Sequence, residues 1–132
     1  MPRPSVLVVE DDTSIRKLLT LALAREGYVC AEAGSVSSAL ERLQGVKPDL
    51  VILDVNLPGG TGFDVLRALR ERYAAPELPV VMLSALSQEV NVSRGLQLGA
   101  QDYLVKPFRM NDLKRCLARV LPTAAAGTGP AH

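Results

Sequence analysis

The stretch Ser5–Asp12, SVLVVEDD, runs four apolar residues, Val6–Val9, straight into three carboxylates, Glu10, Asp11 and Asp12. In a chain this short most of Val6–Val9 has to be core. A strand that is apolar throughout, with no alternation, is covered on both faces, as in a parallel sheet. What remains to be explained is why such a strand ends on clustered negative charge.

The same kind of run recurs along the chain. Short apolar segments lie at Tyr28–Ala31, Leu50–Leu53, Val80–Leu83 and Tyr103–Val105, each bounded by polar or turn residues. Between them the period becomes helical: Ile15, Leu18, Leu19, Ala22 and Leu23; Val36, Ala39, Leu40 and Leu43; Phe63, Leu66 and Leu69; Val92, Leu96 and Leu98; Leu113, Leu117, Val120 and Leu121. Gly27, Gly45 and Gly99 follow three of these helices where a left-handed cap is cheapest, and Pro76 and Pro79 close the third. Five strands alternating with five helices predict an α/β fold, an open, doubly wound (βα)5 sandwich around a parallel sheet.

Composition agrees with a single domain. The chain has 132 residues, 48% hydrophobic and 22% charged, with a formal net charge of +1. That balance gives no electrostatic case for nucleic acid or an anionic membrane as a direct partner of this domain. Cys30 and Cys116 follow no metal-ligand spacing and lie in apolar-periodic segments, so they read as core or near-core thiols. No run is long enough to span a membrane and the start MPRPSVLVV lacks a signal-peptide core, which leads to the expectation of a cytoplasmic protein. After Val120 the chain turns to LPTAAAGTGPAH, without acid, Lys or Arg. The expected boundaries are a domain over 1–121 and a flexible tail or start of a linker over 122–132.

In open parallel sheets, ligands bind beyond the carboxyl ends of the strands. Glu10 and Asp11 end the first strand, Asp54 the third in DLVILD, Ser84 the fourth in VVMLSA and Lys106 the fifth in YLVKPF. Each has an ordinary reading by itself: Asp11 or Asp12 as a helix N-cap, Asp54 as a turn residue, Ser84 as a loop hydroxyl, Lys106 as a solvated amine. Acids and a base set together at strand ends are harder to dismiss, because like charges in contact are costly without a cation. Mg2+ accepts one or two carboxylates and keeps waters for phosphate oxygens, so it fits this donor set. An aspartate nucleophile, a metal, a lysine and a hydroxyl together suit phosphoryl transfer to Asp54. There is no GxxxxGK[ST] loop, and the single histidine is His132, at the end of the sequence. The donor has to bring its own leaving group.

Taken together, EDD at 10–12, Asp54 followed by VNLPGGTG, LSA at 83–85 and YLVKPF at 103–108 resemble the receiver domain of two-component response regulators, over about residues 4–121. The resemblance implies a flavodoxin-like strand order 2-1-3-4-5 and Asp54 as the phosphorylated residue. The phosphoryl group would come from a sensor histidine kinase or phosphotransfer protein. It also implies Mg2+ held by Asp11, Asp54 and the main-chain carbonyl of Asn56, with Glu10 acting through water. Ser84 and Tyr103 would be the switch pair on the surface of helix four, strand five and helix five, and Lys106 the phosphate-contacting lysine before a cis Pro107. Asn56 and Leu86, each two residues beyond a site residue, would tune the lifetime of the phosphorylated state, with Leu86 shielding the path of attacking water.

RGLQLGAQDYLVKPF is similar to the OmpR-like subfamily, with Cys116 and Gln101 where that subfamily usually has Arg and Asp. An output domain or downstream protein, and a phosphorylation-dependent homodimer, are the further partners the resemblance implies. Two other functions share parts of the pattern. A haloacid-dehalogenase-type phosphohydrolase would need a second acid where Asn56 stands, and a flavin carrier would need a phosphate loop where the chain has acids. Arg67, Arg70 and Arg72 read as a solvated face of the third helix. Arg109, Lys114, Arg115 and Arg119 give the last helix a basic side.

Overall fold

The computed structural model describes residues 3–85 and 89–121. The chain runs β1 (Ser5–Val9), α1 (Thr13–Arg25), β2 (Val29–Ala33), α2 (Val36–Gln44), β3 (Leu50–Asp54), β4 (Asn56–Leu57), β5 (Gly60–Thr61), α3 (Gly62–Arg72), β6 (Val80–Ala85), α4 (Glu89–Gln97), β7 (Asp102–Lys106) and α5 (Met110–Val120). The main sheet has the order β2-β1-β3-β6-β7, and every pairing in it is parallel. Counting only its five strands, this is the expected order 2-1-3-4-5. The pair β4–β5 is a small antiparallel ladder in the loop after Asp54.

Two apolar layers explain the unbroken hydrophobic strands. Leu7, Val9, Val51, Leu53, Val80 and Met82 face one core with α2 and α3, while Val6, Val8, Leu50, Ile52, Val81 and Leu83 face the other with α1 and α5. Successive residues point to opposite faces, so a strand covered on both sides is apolar at every position. The edge strands β2 (VCAEA) and β7 (DYLVK) are mixed, because helices cover them less fully. Val29 at the start of β2 is exposed, and Tyr28 is buried just before the strand.

Several local expectations need correction. Gly27 and Gly99 take the left-handed conformation, with φ of +94° and +105°, but Gly45 has φ −85° and does not. Leu18 is half-exposed at the margin of the α1 stripe, while Leu19, Ala22 and Leu23 carry the burial. On α4 the expected stripe is displaced. Leu96 is 44% exposed, and Gly95 faces the core, where a Cβ would come within 3.0 Å of Met82 Cγ. The helix approaches the sheet at a residue with no side chain, which a hydrophobic pattern does not register.

Arg70 is no part of a solvated face. Its guanidinium donates to the carbonyls of Gly99 (2.7 and 3.0 Å) and Leu78 (2.7 Å), and to Gln101 Oε1 (3.0 Å). Gln101 Oε1 in turn accepts from Val80 N–H at 2.9 Å, and its amide donates to Ala75 O. Burial shifts the Arg70 guanidinium below its ordinary range.

Both cysteines are free thiols. Cys30 is half-buried; Cys116 is buried among the α1 and α5 side chains, as expected.

Candidate functional site

The site forms where β1, β3, β6 and β7 end side by side. Glu10 follows β1, and its N–H donates to Ala33 O at 3.0 Å, which carries the sheet pairing one residue past Val9. Glu10 is 1% exposed and Asp54 3%, so both carboxylates stand at the bottom of the rim, while Asp11 is exposed above them. Asp12 turns the other way and N-caps α1, accepting from Ile15 N–H at 3.0 Å. The three adjacent acids therefore divide: Asp12 is structural, and Glu10 and Asp11 are left facing Asp54.

β3 delivers Asp54, and the loop behind it is built around one close approach. Gly62 N–H donates to Val55 O at 2.7 Å, and a Cβ on Gly62 would lie 2.1 Å from the Asp54 carbonyl oxygen. Only glycine lets α3 begin there. Asn56 N–H donates to Asp54 Oδ1 at 3.2 Å, which orients the carboxylate and leaves Oδ2 toward β7. From β7, Lys106 Nζ reaches Asp54 Oδ2 at 2.9 Å and Glu10 Oε1 at 2.7 Å. The Lys106–Pro107 peptide is cis. Ser84, 1% exposed at the end of β6, makes a long hydroxyl contact to Ala85 O at 3.4 Å. Tyr103 on β7 is 39% exposed. Leu86 lies outside the described residues.

The electrostatics are those of an anion-rich pocket with a cation in its wall. Burial raises Glu10 above the usual carboxylate range; Lys106 and the Asp12 N–H, which Glu10 Oε2 accepts at 3.0 Å, pull it back, and Asp54 pushes it up again. Burial by itself would lower the Lys106 ammonium, but Glu10 and Asp54 outweigh it and the net direction is up, so the lysine stays charged. Oxygens of Glu10, Asp11 and Asp54 all lie within 4.8 Å of one another. Glu10 Oε1 is buried and is met by the Lys106 ammonium at 2.7 Å. Three carboxylates whose oxygens lie this close, against the one ammonium that contacts them among the described residues, fit a divalent cation with oxygen ligands.

The structure thus gathers Glu10, Asp11, Asp54, Ser84 and Lys106 at one rim, with Asn56 beside Asp54. One side chain there was not expected. Arg16, on α1, donates through Nη1 to the Glu10 carbonyl at 2.8 Å. In sequence it looks like any surface arginine of an amphipathic helix.

Comparison with known proteins agrees with this geometry. The family model of the response regulator receiver domain matches residues 6–118. The chain is 45% identical over 111 residues to the DNA-binding response regulator MtrA of Mycolicibacterium smegmatis, covering 84% of this chain and 47% of the relative. It is 42% identical to the transcriptional regulatory protein AfsQ1 of Streptomyces coelicolor, covering 89% and 51%. The chain spans about half the length of these curated relatives. Among solved structures, the chemotaxis response regulator CheY4 of Vibrio cholerae superposes with a TM-score of 0.84 at 34% identity, covering 91% of this chain and all of that one. The match of the family model over most of the chain, with these relatives, shows the family: the chain belongs to the response regulator receiver domain family, the phosphoacceptor modules of two-component signalling.

Proposed function

We propose that Asp54 accepts a phosphoryl group from a phosphohistidine donor, a sensor histidine kinase or a phosphotransfer protein, and that this switches the face formed by α4, β7 and α5. The observation that carries the reading is the contact of Lys106 Nζ with both Asp54 Oδ2 (2.9 Å) and Glu10 Oε1 (2.7 Å) at the ends of neighbouring strands.

In the transfer, an Asp54 oxygen attacks phosphorus, the new O–P bond forms, and the P–N bond to the donor imidazole breaks, its electron pair staying on the imidazole. As a carboxylate, Asp54 has no proton to lose, so the domain needs no base of its own. The Lys106 ammonium is placed to offset negative charge on the phosphoryl oxygens. Asp11, Asp54 and the Asn56 carbonyl would hold Mg2+, with Glu10 supporting through water. When bound, the ion supplies charge neutralisation for the transferring group. The Ser84 hydroxyl makes a long contact to Ala85 O, and in its place would donate to a phosphoryl oxygen. Its movement makes room for the Tyr103 ring, now partly in solvent, to turn inward. Chemistry of the domain is then confined to its own phosphorylation and slow dephosphorylation.

The domain is assigned to residues 1–121, since Val120 and Leu121 still pack on the α1–α5 core. Its partners are the kinase or phosphotransfer protein and, through the switched face, an output domain, a downstream protein or a second copy. We place it in the cytoplasm, in keeping with such a donor; no described helix is long and apolar enough to cross a membrane. Incubation with acetyl phosphate and Mg2+ is expected to add one phosphoryl group to the protein, and none to Asp54→Asn. Equal labelling of that variant would overturn the assignment.

A further inference from the structure

We infer that Arg16 is a positioning residue for the metal-binding acids, fixing the peptide from which Asp11 projects; this rests on the metal site proposed above. Glu10 is held by Lys106 at Oε1 (2.7 Å) and at three further points. Its N–H is bound to Ala33 O (3.0 Å), its Oε2 accepts from Asp12 N–H (3.0 Å), and its carbonyl accepts from Arg16 Nη1 (2.8 Å). Asp12 is held in turn by its cap on Ile15. Asp11 lies between these two anchored residues and is exposed, with no side-chain hydrogen bond among the described residues, so its direction is set by the backbone on either side.

The 10–11 peptide carries the Glu10 carbonyl and the Asp11 nitrogen, and Arg16 holds its oxygen from α1. The contact has a built seat. Gly34 packs against the guanidinium so closely that a Cβ there would lie 3.3 Å from Nη1. The second arm differs in kind. Arg16 Nε pairs with Glu32 Oε1 at 2.8 Å on the exposed side, beside an open cleft of about 510 Å3 lined also by Gly34, Ser38 and Arg42. The arm toward Glu10 is part-buried and the arm toward Glu32 faces water, so the first orients and the second only steadies. A ligand that binds through carboxylates gains when those carboxylates are already aimed, and outer partners of metal ligands act in this way.

The test is a calorimetric Mg2+ titration of the unphosphorylated 132-residue chain, with phosphorylation by acetyl phosphate followed in parallel. Arg16→Met is expected to weaken Mg2+ binding about ten-fold, as loss of an outer-shell partner typically does. Its rate of phosphorylation at saturating Mg2+ should return close to that of the wild type. Arg16→Lys, which retains one donor for the Glu10 carbonyl, should recover part of the affinity, and Glu32→Gln should keep nearly all of it. Thermal melts separate positioning from folding: a lowered melting temperature with unchanged Mg2+ affinity in Arg16→Met overturns the inference. Asp11→Asn is the control for the metal site. If it loses affinity while Arg16→Met and Arg16→Lys do not, only the role of Arg16 falls. If Asp11→Asn binds Mg2+ as tightly as wild type, the metal site and the inference fall together.

Discussion

Cys116 shows how one side chain can be rendered inert by its surroundings. It is buried on α5, and burial, with the nearby Asp102 carboxylate at 3.6 Å from Sγ, pushes its thiol up to about 12. The folded state therefore keeps a proton that the unfolded chain, with an ordinary thiol, gives up near pH 8.5–9. The sign is fixed: the contribution to stability is full below the unfolded value and is lost as pH rises from there toward 12. Because the thiolate is the nucleophile, iodoacetamide at pH 8 should alkylate Cys116 in the native protein on the order of a hundred-fold or more slower than in urea. Equal rates, read by mass spectrometry of the Cys116 peptide, would show that the thiol is reached without unfolding. On the same helix Arg119 pairs with Asp102 at 2.6 Å. The basic side expected of α5 is thus partly neutralised, with Arg115 on Asp112 and Lys114 near Glu26.

At the scale of elements, the chemistry was legible because it sits where strands stop. A strand buried on both faces is apolar along its length, so the first polar residue at its carboxyl end, Glu10, Asp54 or Ser84, announces both a boundary and a group at the rim, and Lys106 ends the mixed edge strand β7 beside them. What could not be read depended on neighbours distant in sequence. The depth of α4 was missed because Gly95, not a large apolar residue, makes its contact, and Arg16 and Arg70 were missed because a buried guanidinium and a solvated one have the same letter. Arg70 is the stronger structural case. It ties the turn after α4, through Gly99 O, to the loop after α3, through Leu78 O, and a Cβ on Gly99 would lie 2.9 Å from its Nε. Arg70→Met leaves part-buried carbonyls without donors and should cost about 2 kcal/mol, measured by urea denaturation. Amide exchange at Gly99–Gln101 should rise with it. Arg70→Lys should recover little, because an ammonium cannot reproduce the planar fork. Unchanged exchange at the α4–β7 turn would mean that the guanidinium does not pin it.

For the molecule as a whole, the sandwich supplies a rigid floor and confines the functional groups to one rim. Val6 and Val8 bind β1 to the α1–α5 layer while Leu7 and Val9 bind it to the α2–α3 layer, so Glu10 is presented from a strand fixed on both faces. The α5 layer closes with Val120 and Leu121, which pack against the second core. A chain ending at residue 121 should therefore match the 132-residue chain in urea stability to within about 0.5 kcal/mol, whereas ending at Leu117 should destabilise it measurably. A large loss on removing 122–132 would move the domain boundary. The central proposal is narrower: of the three acids gathered at the rim, Asp54 alone would be the nucleophile, since it ends the central strand β3 with Oδ2 on Lys106, while Asp11 and Glu10, the latter also paired with Lys106, would serve a cation. Borohydride reduction of an aspartyl phosphate leaves homoserine in place of the aspartate. After treatment with acetyl phosphate and Mg2+ and then borohydride, peptide sequencing by mass spectrometry should find homoserine at position 54 and at no other acid. Homoserine at position 11 or 12, or unmodified Asp54 in a protein that has taken up phosphate, would contradict the account.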